Sequence, residues 1–258
     1  MTGPERPIAA AWLALRRSAD SAARDRAGWL LDEFATVPGP LIVFDIGAGT
    51  GANQAYLQPR LGIESRWVLL DHDVHLLNAP GQGDAERVLG GIEQLDELVA
   101  ARPGERLITC SALLDLLTAD EVADLAQACA ASRTAALFTL SVAGEVTLDP
   151  PLPEDDLVRR AFNEHQRREI DGRRLLGPDA PAAAVAAFEK AGATVVTRPS
   201  PWRLDSSLAG LTSEWLTGWV AAAVEQTPDL RLDDYLAVRT ANPPAAVVGH
   251  VDLLAMFS

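Results

Sequence analysis

The chain has 258 residues, 48% of them apolar, enough to bury a large core, which excludes a disordered segment or a small disulfide scaffold. Thirty-six acidic against 22 basic residues leave a formal charge of −14, a field that disfavours nucleic acid and anionic lipid as partners. Cys110 and Cys129 stand alone in apolar surroundings without CxxC or Cys/His spacing, so they read as buried reduced thiols of a cytoplasmic protein with no metal site. No secretory signal opens the chain, and its apolar runs are strand-sized rather than membrane-spanning.

In chain order, residues 9–35 place Trp12, Leu13, Leu15, Trp29, Leu30, Leu31 and Phe34 at helical spacing among charges, predicting one or two amphipathic helices before Pro38-Gly39-Pro40. This stretch, 1–40, is expected to cap a single domain, 41–258. From Leu41 short apolar runs at 41–46, 67–70, 87–90, 107–110 and 136–142 predict strands, and 52–61, 74–78, 93–101 and 119–131 between them predict helices. The alternation predicts an α/β fold with a doubly wound, mostly parallel sheet and ligands at the carboxyl ends of the strands. Beyond it, 145–153 reads as a Pro-rich connection, 154–168 as a charged helix and 181–191 as an Ala-rich helix leading into a strand at 194–197. Helices near 212–225 and 232–239 precede a closing strand at 246–256. The segments 145–192 and 205–240 are expected to act as helical insertions that select a ligand.

The most informative stretch is Phe44-Asp45-Ile46-Gly47-Ala48-Gly49-Thr50-Gly51-Ala52-Asn53. Three glycines at alternate positions let the backbone turn tightly and approach a ligand closely, and a helix begins directly after them. Gly47-x-Gly49-x-x-Ala52 satisfies a loose dinucleotide fingerprint, and Asp71, twenty residues after Gly51, suits a ribose-binding acid. Asp45 discriminates between ligands, because a carboxylate at the turn repels a pyrophosphate and suits a cationic amino group.

Asp45-Ile46-Gly47-Ala48-Gly49-Thr50-Gly51 resembles the first motif of the class I S-adenosylmethionine-dependent methyltransferases. Val68-Leu69-Leu70-Asp71-His72-Asp73 resembles their second motif, and residues 107–117 resemble their fourth strand and the turn after it. The resemblance spans roughly 41–142 and implies S-adenosyl-L-methionine as cofactor, a Rossmann-like sheet, and transfer of a methyl group to an O, N or C nucleophile of a small-molecule acceptor. It implies that Asp45, Gly47, Gly49, Gly51 and Asn53 hold the amino acid end, that Asp71 holds the ribose with His72 beside the adenine, and that Ser111 borders the transfer site. Members often carry an acid after the third strand that meets the adenine; here only Glu93 or Gln94 stands near that place. Arg16, Asp20 and Arg24 recur at four-residue steps as an ion-pair row, and Arg16 is the member expected to meet the cofactor if this helix closes over it.

Methyl transfer needs alignment more than acid–base chemistry, so the sequence is quiet about the acceptor. Asp115 and His165 are the expected catalytic groups: Asp115 as the partner of an acceptor amine or hydroxyl or else a helix-start carboxylate, His165 as a base or else part of a solvated face. The arginine-rich segment 151–180 is where recognition of a polar or anionic acceptor is expected. His250 and Asp252 read as a structural hydrogen-bonded pair, and Trp202, Trp215 and Trp219 as helix packing rather than a base-stacking platform. Two rival functions share the loop: an NAD(P)-dependent oxidoreductase, for whose proton relay Tyr56, Tyr235 and Lys190 are poorly placed, and a cofactor-binding module without chemistry.

Overall fold

A helix, α1 (Ala10–Ala27), precedes an alternating series: β1 (Leu41–Ile46), α2 (Ala52–Leu57), β2 (Ser65–Asp71), α3 (Val74–Leu77), β3 (Glu86–Leu89), α4 (Leu95–Ala100), β4 (Arg106–Ser111), α5 (Ala119–Ser132) and β5 (Ala135–Asp149). The second half adds α6 (Asp155–Gln166), a hairpin of β6 (Glu169–Ile170) and β7 (Arg173–Arg174), α7 (Ala180–Lys190), β8 (Thr194–Pro199), β9 (Trp202–Leu204), α8 (Ala209–Gln226), α9 (Asp233–Ala241) and β10 (Ala245–Met256). These elements come from a computed structural model that describes residues 9–28, 39–80 and 83–257. The expected helical residues Trp29, Leu30, Leu31 and Phe34, and Pro38 after them, lie outside the described residues. Among the described residues no helix is long and apolar enough to cross a membrane.

All strands but the β6–β7 hairpin form one sheet in the order β3-β2-β1-β4-β5-β10-β8, with β9 paired to β10. β1 to β5 are parallel, and β10 runs antiparallel to β5, β8 and β9. Continuous apolar runs make this possible, because central parallel strands are covered on both faces. Phe44, Leu70, Ile108 and Phe138 enter the core under α4, α5 and α7. Their neighbours Val43, Leu69, Leu107 and Leu137 face the opposite core with Leu57 and Leu61. A third cluster joins α1, α6, β9 and α8 through Ala23, Val158, Trp202 and Trp219.

β5 departs from expectation. It continues through the predicted Pro-rich connection to Asp149, and Ala245 to Val248 of β10 pair with this extension. Glu145 and Thr147 are exposed while Leu148 is buried, a strand alternation that the adjacent Pro150-Pro151 obscures. Ser111 of β4 pairs with Thr139 of β5, so the last ten residues of β5 overshoot the carboxyl edge of the parallel strands. Leu140, at φ +57°, forms the kink where the overshoot begins, and its N–H donates to Asp252 at 2.8 Å. The short β9 was not predicted; three residues leave too little alternation to read. Arg239 of α9, 2% exposed, clasps the β5–α6 connection through Asp155 at 2.5 and 2.6 Å and Pro150 O at 2.7 Å.

Candidate active site

β1 ends beneath the glycine loop, where Gly47, Gly49 and Gly51 take φ of +63°, +54° and +74°. A Cβ on Gly47 would lie 2.9 Å from Leu113 Cδ1, and one on Gly49 3.3 Å from Leu13 Cδ1. The loop is therefore hemmed in by the turn after β4 and roofed by α1, and its positive φ angles disfavour larger residues.

Asp45 is fully buried behind the loop. Its Oδ1 accepts from Asn53 Nδ2 at 2.6 Å, while its Oδ2 has no partner. Burial pushes this carboxyl up to about 7, against the pull of the Asn53 hydrogen bond and of Arg24. Asn53, expected to meet the ligand, lines the space at the loop with its amide already bonded within the protein: its Oδ1 accepts from Arg24 Nη2 at 2.9 Å, and its Nδ2 also lies 3.2 Å from Thr109 Oγ1. Arg24 is itself buried, its pKa lowered by that burial, and it stacks 3.8 Å from the Tyr56 ring centroid. The expected row of three therefore divides. Arg16 pairs with Asp20 at 2.9 Å, whereas Arg24 ties α1 to α2 through Asn53.

Asp71 closes the loop from the other side, its Oδ2 accepting from Gly49 N at 2.7 Å and its Oδ1 from Asp73 N at 2.9 Å. His72 is exposed, with Nδ1 3.8 Å from Asp71 Oδ1. Glu93 folds back to accept from Gly91 N at 3.0 Å. A cavity of about 70 Å³ lies between α1 and the loop, lined by Leu13, Arg16, Gly47, Gly49, Thr50 and Ser111 among others. Thr50 Oγ1 in its wall is buried without a partner.

A second cavity, about 230 Å³, opens beyond it under the β5 overshoot, and Arg16 is the residue that lines both. Trp12, Phe162, Trp202, Trp215 and Trp219 supply its apolar wall. Trp215 and Trp219 stack at 5.2 Å, and Trp202 sits 6.4 Å from Trp12 while donating from Nε1 to Asp20 at 2.9 Å. Asp115 lines this cavity from the turn after β4. It does not start α5, whose first turn is capped by Thr118 and Glu121 in a reciprocal box. Burial raises the Asp115 pKa, with Arg16 pulling it down.

His165 is not in this wall. It points toward α8, with Nε2 3.5 Å from Glu225 Oε2 and Nδ1 3.2 Å from Arg168 Nη1, and burial followed by Arg168 lowers its pKa. Helical phase accounts for the difference: α6 turns Phe162, Asn163 and Gln166 inward and carries His165 past the cavity. None of the six arginines of 151–180 lines this cavity, and four of them are paired elsewhere. Arg159 and Arg160 meet Asp156, Arg167 meets Asp179 and Glu164, and Arg173 meets Glu121. His250 and Asp252 are both buried but held by different partners, Val248 O at 3.0 Å for His250 Nδ1 and Ser200 Oγ at 2.5 Å for Asp252.

No family model matches the sequence, and no curated protein matches it. Among solved structures, a cyclopropane-fatty-acyl-phospholipid synthase-like protein from Lactobacillus casei superposes with a TM-score of 0.55 at 16% identity, over 99% of this chain and 96% of the other. A candidate methyltransferase of an antibiotic biosynthesis pathway from Anabaena variabilis superposes with a TM-score of 0.51 at 12% identity, over 92% of this chain and 100% of the other. The fold is that of the class I methyltransferases. The likeness takes in α1 and the C-terminal helices as well as the 41–142 core.

On this methyltransferase fold the residues that sequence reasoning missed are Trp12, Glu145, Asn163 and Gln166, together with the role of Trp202, Trp215 and Trp219 as cavity wall. The tryptophans do pack in the third core cluster as expected, yet one side of that cluster faces empty space. Their signal was numerical: tryptophans concentrated in the segments that flank the core, where packing alone is served by leucine.

Proposed function

We propose that the protein is an S-adenosylmethionine-dependent methyltransferase acting on a small-molecule acceptor. The observation that carries this reading is a pair of buried polar atoms without partners at the glycine loop, Asp45 Oδ2 and Thr50 Oγ1, in a loop whose three glycines all take positive φ. Buried polar groups are normally satisfied, so unsatisfied ones beside a glycine cradle fit a ligand with donors and acceptors of its own. The amino acid end of the cofactor would be held by Asp45, Thr50 and the loop amides, its ribose by Asp71, and Ser111 and Arg16 would border the reacting end. When bound, the cofactor supplies a methyl group already activated on a sulfonium. The chain's own task is then to exclude water and align the acceptor. α1 roofs the loop, and segments 145–192 and 205–240 form the cover that selects the acceptor.

An oxidoreductase reading gains nothing from the same geometry. Tyr56 donates to Asp25 and Tyr235 to Asp155, each at 2.8 Å, burial pushes both phenols up, Tyr56 to about 12, and Lys190 is exposed at the end of α7. Both cysteines are free and buried, in keeping with action in the cytoplasm.

Titration calorimetry with S-adenosylhomocysteine tests the proposal. One saturable site is expected, weakened by Asp71→Ala; absence of binding, or affinity indifferent to that substitution, refutes it.

A further inference from the structure

The wall of the larger cavity is rich in hydrogen-bond acceptors. Asn163 Nδ2 is tied to Gly144 O at 3.0 Å, which leaves Asn163 Oδ1 buried without a partner. Gln166 Oε1 is buried and unpartnered as well. Asp115 adds a carboxylate inside and Glu145 another at the exposed rim. His250 is held neutral, its pKa driven to about 3 by burial and then by Arg16. Because a carbonyl only accepts, His250 Nδ1 carries the hydrogen toward Val248 O, and Nε2 keeps a lone pair. The one cation lining the cavity, Arg16, directs Nε and Nη2 to Asp20 at 2.9 and 3.2 Å and lies 5.0 Å from the Trp202 ring centroid. Trp219 Nε1 is the single buried donor there without a partner, among the described residues.

Resting on the methyltransferase reading, we infer that the acceptor is an amine on a small aromatic or apolar body, its nitrogen against Asp115 and its body among Trp12, Trp202, Trp215 and Trp219. A ligand ammonium supplies the hydrogens that Asn163 Oδ1 and Gln166 Oε1 lack and a countercharge for the Asp115 carboxylate, and indole faces attract a cation. A carboxylate or phosphate would meet acceptors and carboxylates instead, with Arg16 already engaged. A hydroxyl would satisfy hydrogen bonds and leave the Asp115 charge facing only Arg16, whose guanidinium is shared with Asp20. At about 230 Å³ the cavity falls just below the usual range for small-ligand pockets, so the body is small.

The transfer step follows from this placement. The ammonium passes one proton to the Asp115 carboxylate, which burial makes a better proton acceptor. The freed nitrogen lone pair forms the new C–N bond as the methyl C–S bond breaks, its electron pair going to sulfur. The product leaves as a methylated ammonium, and Asp115 returns its proton to solvent.

The test is calorimetry on the full chain saturated with S-adenosylhomocysteine, titrated with three probes sharing one ring system: tryptamine, tryptophol and indole-3-propionate. Tryptamine is expected to bind about tenfold more tightly than tryptophol, the scale of a desolvated cation–π contact, and indole-3-propionate weakest of all. Asp115→Asn should bring tryptamine to the level of tryptophol and leave the S-adenosylhomocysteine affinity unchanged. Equal binding of the amine and the alcohol, preference for the acid, no binding of any probe at millimolar concentration, or a preference that survives Asp115→Asn overturns the inference. The three-probe comparison on the wild-type chain decides the matter even if that variant does not fold. A chain that takes up S-adenosylhomocysteine without favouring the amine leaves the methyltransferase reading intact, whereas failure to take it up sinks that reading and the acceptor role with it, and only the amine preference of the cavity, ranked on the unliganded chain, is then left to stand or fall.

Discussion

The two cavities on either side of Arg16 are built from opposite materials. The smaller is walled by two short stretches, 13–24 and 47–56, together with Ser111, and is held by a polar relay from Arg24 through Asn53 to Asp45. The larger draws its wall from α1, the turn after β4, the β5 overshoot, α6, β9, α8 and β10, and its material is aromatic. A wall made of one loop and one helix changes through single hydrogen bonds, whereas one assembled from seven places depends on the scaffold that brings them together.

The largest effect that would sharpen this contrast is expected from Asp71→Ala. Two charge-assisted hydrogen bonds to a ribose, at about 1.5–3 kcal/mol each, predict a loss of S-adenosylhomocysteine affinity of roughly a hundredfold or more by calorimetry. Arg239→Met attacks the other region, removing the clasp between α9 and the β5–α6 connection. Leaving Asp155 without its arginine, with only Tyr235 and Leu152 N still donating to it, is expected to cost about 3 kcal/mol in urea unfolding. The folded fraction should retain its S-adenosylhomocysteine affinity, and a parallel loss of affinity would break the distinction between the regions.

Asp45 supplies the next test. Its carboxyl titrates near 3.8 when unfolded and at about 7 when folded. Between those values the native state holds a proton that the unfolded state has released, so this group's contribution to stability falls as pH rises from about 4 to about 7. Asp45→Asn should flatten that slope, whose full extent is on the order of a few kcal/mol, in unfolding series at pH 5 and pH 8; an unchanged slope would place the titration elsewhere. The smallest effect is expected from His165→Gln. Because its side chain turns away from both cavities, turnover of any methylated acceptor should stay within about twofold of wild type, a range in keeping with a substitution outside the reacting groups. A hundredfold loss would return His165 to the chemistry.

These regions were also unequally legible in the sequence. β1, β2 and β4 with their glycine and acidic ends could be read because each is a contiguous run whose period and breakers lie within a dozen residues. Asp71 and the three glycines followed from the same strings. Asn53 was rightly placed at the loop, but its partner Arg24 is twenty-nine positions away, and no local pattern announces that bond. The β5 overshoot hid behind two prolines. His165 was chosen on its chemistry alone, whereas the helical phase that turns Asn163 and Gln166 inward instead is set by packing against β5 and α8. Recognition built on tertiary assembly leaves residue types in the sequence and withholds their neighbours.

The aromatic wall has an optical consequence. Four of the chain's six tryptophans border the larger cavity, none among the described residues lines the smaller, and Trp67 is buried in a separate core on β2. Filling the larger space changes the polarity around four indoles at once, while occupation of the glycine loop touches none of them. The emission of these four indoles therefore reports on one of the two cavities, and on the proposed function the order in which cofactor and acceptor bind can be followed without attaching a label to either.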